Sequence, residues 1–100
     1  MGTISTTKDM AMNIIWKYPL EIVEEQSLMM PEGSEILTAQ IQQKVLCLWA
    51  LVYSTRPQQL RKIEIIGTGN YIDENVKRKY ISTVQMADGK LIFHVFEKLS

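Results

Sequence analysis

The chain has 100 residues, 46% of them hydrophobic and 22% charged, which bounds it to one folded domain with a modest core and excludes a disordered polymer. Lysine plus arginine equals aspartate plus glutamate at 11 each, so no net field draws it to a DNA or RNA duplex or to an anionic membrane. Cys47 is the only cysteine, which excludes an intramolecular disulfide, and no apolar run reaches the ~20 residues of a spanning helix, so the expectation is a soluble protein in a reducing cytoplasm.

Residues 1–11 read as a polar, flexible tail ahead of a single β-rich domain over 12–100. Asn13 to Tyr18 is β-branched and aromatic, and Pro19 has no N–H to donate, which predicts an edge strand with a bend at the proline. Residues 20–30 alternate as a second strand and end at the turn Pro31-Glu32-Gly33-Ser34. Over 35–53 the stripe Leu37, Ile41, Val45, Leu48, Val52 also fits a helix. The apolar run on both faces after Val45, with Gln42-Gln43-Lys44 as a tight turn, favours two strands, 35–42 and 45–53, with Trp49 in the core. A polar link with Pro57 leads to strand 60–66 and the loop Gly67-Thr68-Gly69-Asn70. Asp73 to Lys79 fits either one capped helical turn or a loop. Residues 80–86 and 90–96 flank Ala87-Asp88-Gly89 and predict a hairpin. The whole reads as all-β, or β-rich α+β: a small antiparallel sandwich or barrel of six to seven strands with at most one short helix.

Catalytic equipment is sparse. One histidine and one cysteine in separate apolar strands do not make a zinc centre, and His94 has no accompanying nucleophile pattern. Alternation turns His94 away from Phe93 and Val95, as a hydrogen-bonded sheet residue. The glycine loop lacks both the Walker and the dinucleotide spacing, so it is either a structural turn or a loop that touches a ligand. Trp16 and Tyr18 share one face of the first strand, with Lys17 on the other, and serve either as packing or as a platform for a base. The second half of the chain is the more basic, with Arg56, Arg61, Lys62 and the run Lys77-Arg78-Lys79 available to a small polyanion.

Taken together, Ile15-Trp16-Lys17-Tyr18-Pro19-Leu20, Met30-Pro31-Glu32-Gly33-Ser34-Glu35-Ile36-Leu37, Leu48-Trp49-Ala50-Leu51-Val52, Ile66-Gly67-Thr68-Gly69-Asn70 and Phe93-His94-Val95-Phe96-Glu97 resemble a family of small phage-encoded domains. That family carries a histidine where this chain has Asn70. In design the chain is similar to the anti-CBASS sponges, phage proteins that sequester the cyclic nucleotide signals of bacterial defence. The resemblance implies a non-enzymatic homo-oligomer in the cytoplasm of an infected host, with no cofactor or metal, that encloses a cyclic di- or trinucleotide. Trp16, Tyr18, Gly67, Thr68, Gly69, Asn70, Tyr71, Arg78 and His94 are the expected contacts. The alternative is a protein-interaction or structural accessory module with no nucleotide ligand.

Overall fold

A computed structural model describes residues 13–99. The expected tail, 1–11, lies outside them. Seven strands follow in order: β1 (Ile14–Pro19), β2 (Glu25–Pro31), β3 (Glu35–Gln42), β4 (Val45–Val52), β5 (Gln58–Gly67), β6 (Arg78–Met86) and β7 (Leu91–Lys98). All pairings are antiparallel and form two sheets, ordered β1-β4-β3 and β2-β5-β7-β6. This is the small all-β sandwich that the sequence predicts. There is no helix among the described residues, and therefore none long and apolar enough to cross a membrane.

The core follows from period-two alternation on the central strands. Leu46, Leu48, Ala50 and Val52 of β4 turn inward, and Ile63 and Ile65 of β5, Val95 of β7 and Val84 of β6 meet them from the other sheet, with Met30 and Leu20 at the margins. β4 is apolar on its outer face as well. There, Trp49 stands between Lys17 and Thr38, so it lies half-buried outside the core rather than within it as expected. Lys17 donates to Gln42 Oε1 across that face at 2.8 Å, and the register lays this bond diagonally over the buried Cys47.

The second strand starts at Glu25, later than the alternation suggests. Leu20 still belongs to the first ladder, donating its N–H to Leu46 O at 2.8 Å, and the chain then crosses between sheets. Gln26 holds the crossing by accepting from Glu21 N–H at 3.0 Å and donating to Glu21 O at 2.7 Å, which leaves Ile22 and Val23 both exposed. Residues 73–77 form turns without a helix. Asp73 Oδ1 accepts from Asn75 N–H at 2.9 Å and Asp73 O from Val76 N–H at 3.2 Å, after which β6 begins. The two strands at 35–53 are present, joined by Gln43 (φ 49) and Lys44 (φ 69), both left-handed as a two-residue hairpin turn of the primed kind requires.

The sandwich is closed along one side and open along the other. Facing bulges at Ile36/Thr38 on β3 and Tyr80/Ser82 on β6 bend the two edges together. Ser82 Oγ accepts from Ala39 N–H at 2.9 Å and shares a hydrogen bond with Thr38 Oγ1 at 3.0 Å, a clasp between sheets that share no ladder. On the other side β1 and β2 end their sheets without pairing to each other.

Candidate functional site: the glycine loop and the outer face of the larger sheet

The loop leaves β5 at Gly67, which faces inward opposite Phe93. Thr68 N–H donates to Ile92 O at 3.3 Å and Asn70 N–H to Gly67 O at 3.1 Å, closing a tight turn in which Gly69 sits at φ +91. A Cβ on Gly67 would stand 3.3 Å from Asn70 Nδ2, so the absent side chain lets the Asn70 amide fold back over the strand end. The Gly69 and Tyr71 N–H groups take no part in the hydrogen bonds of the described residues, and the Tyr71 side chain is fully exposed.

The loop is fastened to the outer face of the larger sheet at two points. Thr68 Oγ1 lies 2.7 Å from His94 Nε2, while His94 Nδ1 lies 3.0 Å from Thr83 Oγ1, itself 2.6 Å from Tyr80 OH. Because each hydroxyl can donate or accept, this chain satisfies either tautomer of the imidazole and its protonated form. His94 is thus the hydrogen-bonded sheet histidine read from its alternation. Arg78 is the second fastening. Its Nε and Nη2 donate to Glu64 at 2.9 and 3.5 Å, its Nη1 donates to Asp73 O at 2.9 Å, and its guanidinium lies 5.9 Å from the Phe96 ring centroid. The Glu64 hydrogen bond raises the Arg78 pKa above its ordinary value. Tyr80 and Phe96 meet edge to face at 5.6 Å beside it.

These contacts divide the expected site. Asn70, Tyr71 and Arg78 share a cleft of ≈ 240 Å³ with Glu64, and Gly67 and Asn70 line a neighbouring one of ≈ 260 Å³ with Ile22, Val23 and Phe93. His94 is bonded to the loop through Thr68. Trp16 and Tyr18 stand apart, on the inner face of β1 in the other sheet, and line neither cleft. The Tyr18 hydroxyl is buried without a partner, and burial pushes its pKa up. Arg78 has its guanidinium nitrogens engaged within the fold, so it holds the loop in place before any ligand arrives.

A second concentration of charge lies at the opposite end of the sandwich, where sequence reasoning named the residues without a site. Arg61 donates from Nε to Glu97 Oε2, from Nη2 to Glu97 Oε1 at 3.0 Å and from Nη1 to Ser34 O at 2.8 Å, a bidentate pair with side chains only 16% and 9% exposed. The hydrogen bond to Glu97 raises the Arg61 pKa. Around it open clefts of ≈ 360 and ≈ 570 Å³ that share Arg61, Lys79 and Glu97, with Lys62 and Lys98 along the larger. Lys98 is paired with Glu25 at 2.9 Å, while Lys62 and Lys79 form no ion pair among the described residues. The signal for this end was the Arg61-Lys62 dipeptide. Its inward partner, Glu97, lies too far along the chain to be matched by spacing.

No group of histidine, cysteine and carboxylate side chains among the described residues is arranged to hold a metal ion. No curated protein and no solved structure matches the chain. A family does: over residues 12–100 the chain matches DUF7352, a domain of unknown function, and it belongs to that family.

Proposed function

We propose that the chain is a non-enzymatic binding protein that sequesters a cyclic oligonucleotide defence signal in a phage-infected bacterial cytoplasm, with its site completed by more than one copy. The observation that carries this reading is the loop 67–71: a fastened strand end that presents two uncommitted amides and a fully exposed tyrosine ring. A fully exposed ring beside a fastened strand end is suited to stack on a base, a contact worth roughly 1–3 kcal/mol, and the amides suit phosphate oxygens. His94 is bonded on both ring nitrogens and Arg78 is engaged by Glu64 and Asp73, an arrangement that favours holding over proton transfer.

Size argues for several copies. Clefts of ≈ 240 and ≈ 260 Å³ fall below the ~300–1,000 Å³ of sites that bury a drug-sized ligand. The lysines without ion pairs, Lys62 and Lys79, lie toward the starts of β5 and β6, and the path along β5 from Lys62 to Gly67 is about 17 Å at ~3.3 Å per residue.

A protein partner is the second reading, favoured by the exposed Ile22, Val23 and Ile72 around the same loop. One experiment separates them. The protein is incubated with a panel of cyclic di- and trinucleotides, freed of unbound ligand and denatured, and the released material is weighed by mass spectrometry. Release of an intact nucleotide is expected. Linear product would mean an enzyme, and no retention of any nucleotide would end the sponge reading in favour of the partner.

A further inference from the structure

The edges of the two sheets are unequally protected. β3 and β6 cover one another through Ser82, and β2 opens with Glu25, Gln26 and Ser27 and closes on Pro31. Among the described residues, β1 has no such cover and pairs only with β4; Ile14, Ile15 and Trp16 are 49%, 55% and 36% exposed, spread over both faces of the strand. Its one charge, Lys17, is drawn across the sheet to Gln42 and does not guard the edge.

Backbone parity shows which groups this edge offers. Leu20 N–H donates to Leu46 O, and in an antiparallel ladder such bonds recur at every second residue. Even-numbered residues of β1 therefore bond to β4, while the N–H and C=O groups of Asn13, Ile15 and Lys17 point away from it. Pro19 falls in the same outward set, where its missing N–H leaves no gap in the β4 ladder.

We infer that β1 pairs antiparallel with β1 of a second copy, centred on Ile15. The register of β1 fits a second copy of the same strand. A two-fold axis perpendicular to the sheet matches inward residues with inward and outward with outward. The hydrogen-bonded centre must then be one of the outward-bonding residues. Centring on Lys17 places Ile15 opposite Pro19, and an axis midway between Ile15 and Lys17 places Asn13 opposite Pro19, which in either case has no N–H to exchange. Centring on Ile15 sets Ile15 against its copy, Ile14 against Trp16, and Asn13 against Lys17. The exposed apolar side chains then cover one another, with no like charges opposed. The result is a continuous six-stranded sheet through two copies. It is a property of the free protein, so it stands or falls separately from the nucleotide reading.

Light scattering on the eluted full-length chain is expected to give about 23 kDa, twice the 11.5 kDa of one copy. Ile15→Lys sets two ammonium groups face to face at an exposed site, so the dimer peak is lost while the circular dichroism and thermal transition are kept. Register is read by cysteine pairs. Ile14→Cys combined with Trp16→Cys forms an intermolecular disulfide on mild oxidation, and neither single variant does. A monomeric wild-type protein, or a dimer that survives Ile15→Lys, overturns the interface, and so does a dimer that appears only after residues 1–12 are removed, because the leading segment would then occupy the edge. A disulfide in either single variant overturns the register.

Discussion

Ser82→Ala tests how the sandwich is closed. The Ser82 hydroxyl accepts from the N–H of Ala39, a residue with no exposed surface, and meets the half-buried Thr38 hydroxyl. Removing it strands a buried donor, at a cost of about 1–3 kcal/mol. For a domain of this size each kcal/mol lowers the melting temperature by roughly 4–8 °C, so the transition should fall by about 4–24 °C. Thr38→Val removes the hydroxyl partner, with its exposed hydrogen bond from Gln40 Nε2, and leaves the Ala39 bond in place, so its effect should stay below about 1 kcal/mol. Calorimetry gives the two shifts, and amide exchange at Ala39 localises the first. If Ser82→Ala melts within about 2 °C of the wild type and Ala39 keeps its protection, the β3/β6 seam is held by something other than this clasp.

Tyr18→Phe should stabilise the protein by about 1 kcal/mol in urea unfolding, because it deletes a buried hydroxyl that has no partner; a loss of stability would show that the hydroxyl is bonded in solution. The Tyr18 phenol should ionise above its ordinary 10.0, and since the unfolded chain then releases its proton first, stability should fall as pH rises past that value, as alkaline unfolding with and without Tyr18→Phe would show. Glu25 should titrate below the ordinary carboxylate range because of its hydrogen bond to Lys98, so the stabilisation from this pair is present above that range and disappears as pH falls through the lowered pKa; carbon NMR should show the shift relax in Lys98→Ala. Gly69→Ala meets nothing within 4 Å, so its penalty should be backbone strain alone, about 1–2 kcal/mol, and a neutral result would mean that the loop does not hold φ +91.

The strands were legible where local chemistry decided them. Alternation on β6 and β7, the β-branched start of β1 and the turn residues Gln43-Lys44 all act over a few neighbours. The misplaced start of β2 and the position of Trp49 depend on tertiary partners instead. Gln26 reaches back to Glu21 to hold a crossing between sheets, and β4 is covered on its outer face by Lys17 and Gln42, so an apolar residue there is not a core residue. The site divided along the same line. His94 and Thr68 met as their strand positions allowed, but Arg78 found Glu64 and the Asp73 carbonyl, and these pairings turn a candidate phosphate ligand into a fastener of the loop.

The separation of the glycine loop from the basic end gains a consequence if β1 pairs with its copy. Within one chain, the Pro19 end of β1 leads through Leu20 and Glu24 to Ile65, beside the loop, while the Ile14 end lies opposite Val52, from which a short link reaches the basic start of β5. An antiparallel pair reverses these directions in the second copy. The glycine loop of one copy therefore points the same way as the Arg61, Lys62 and Lys79 end of the other. Ile15→Lys should then lower nucleotide retention along with the dimer, whereas Gly69→Ala should lower retention and leave the dimer intact. Retention lost in both variants with the dimer lost only in the first is the pattern a shared site requires.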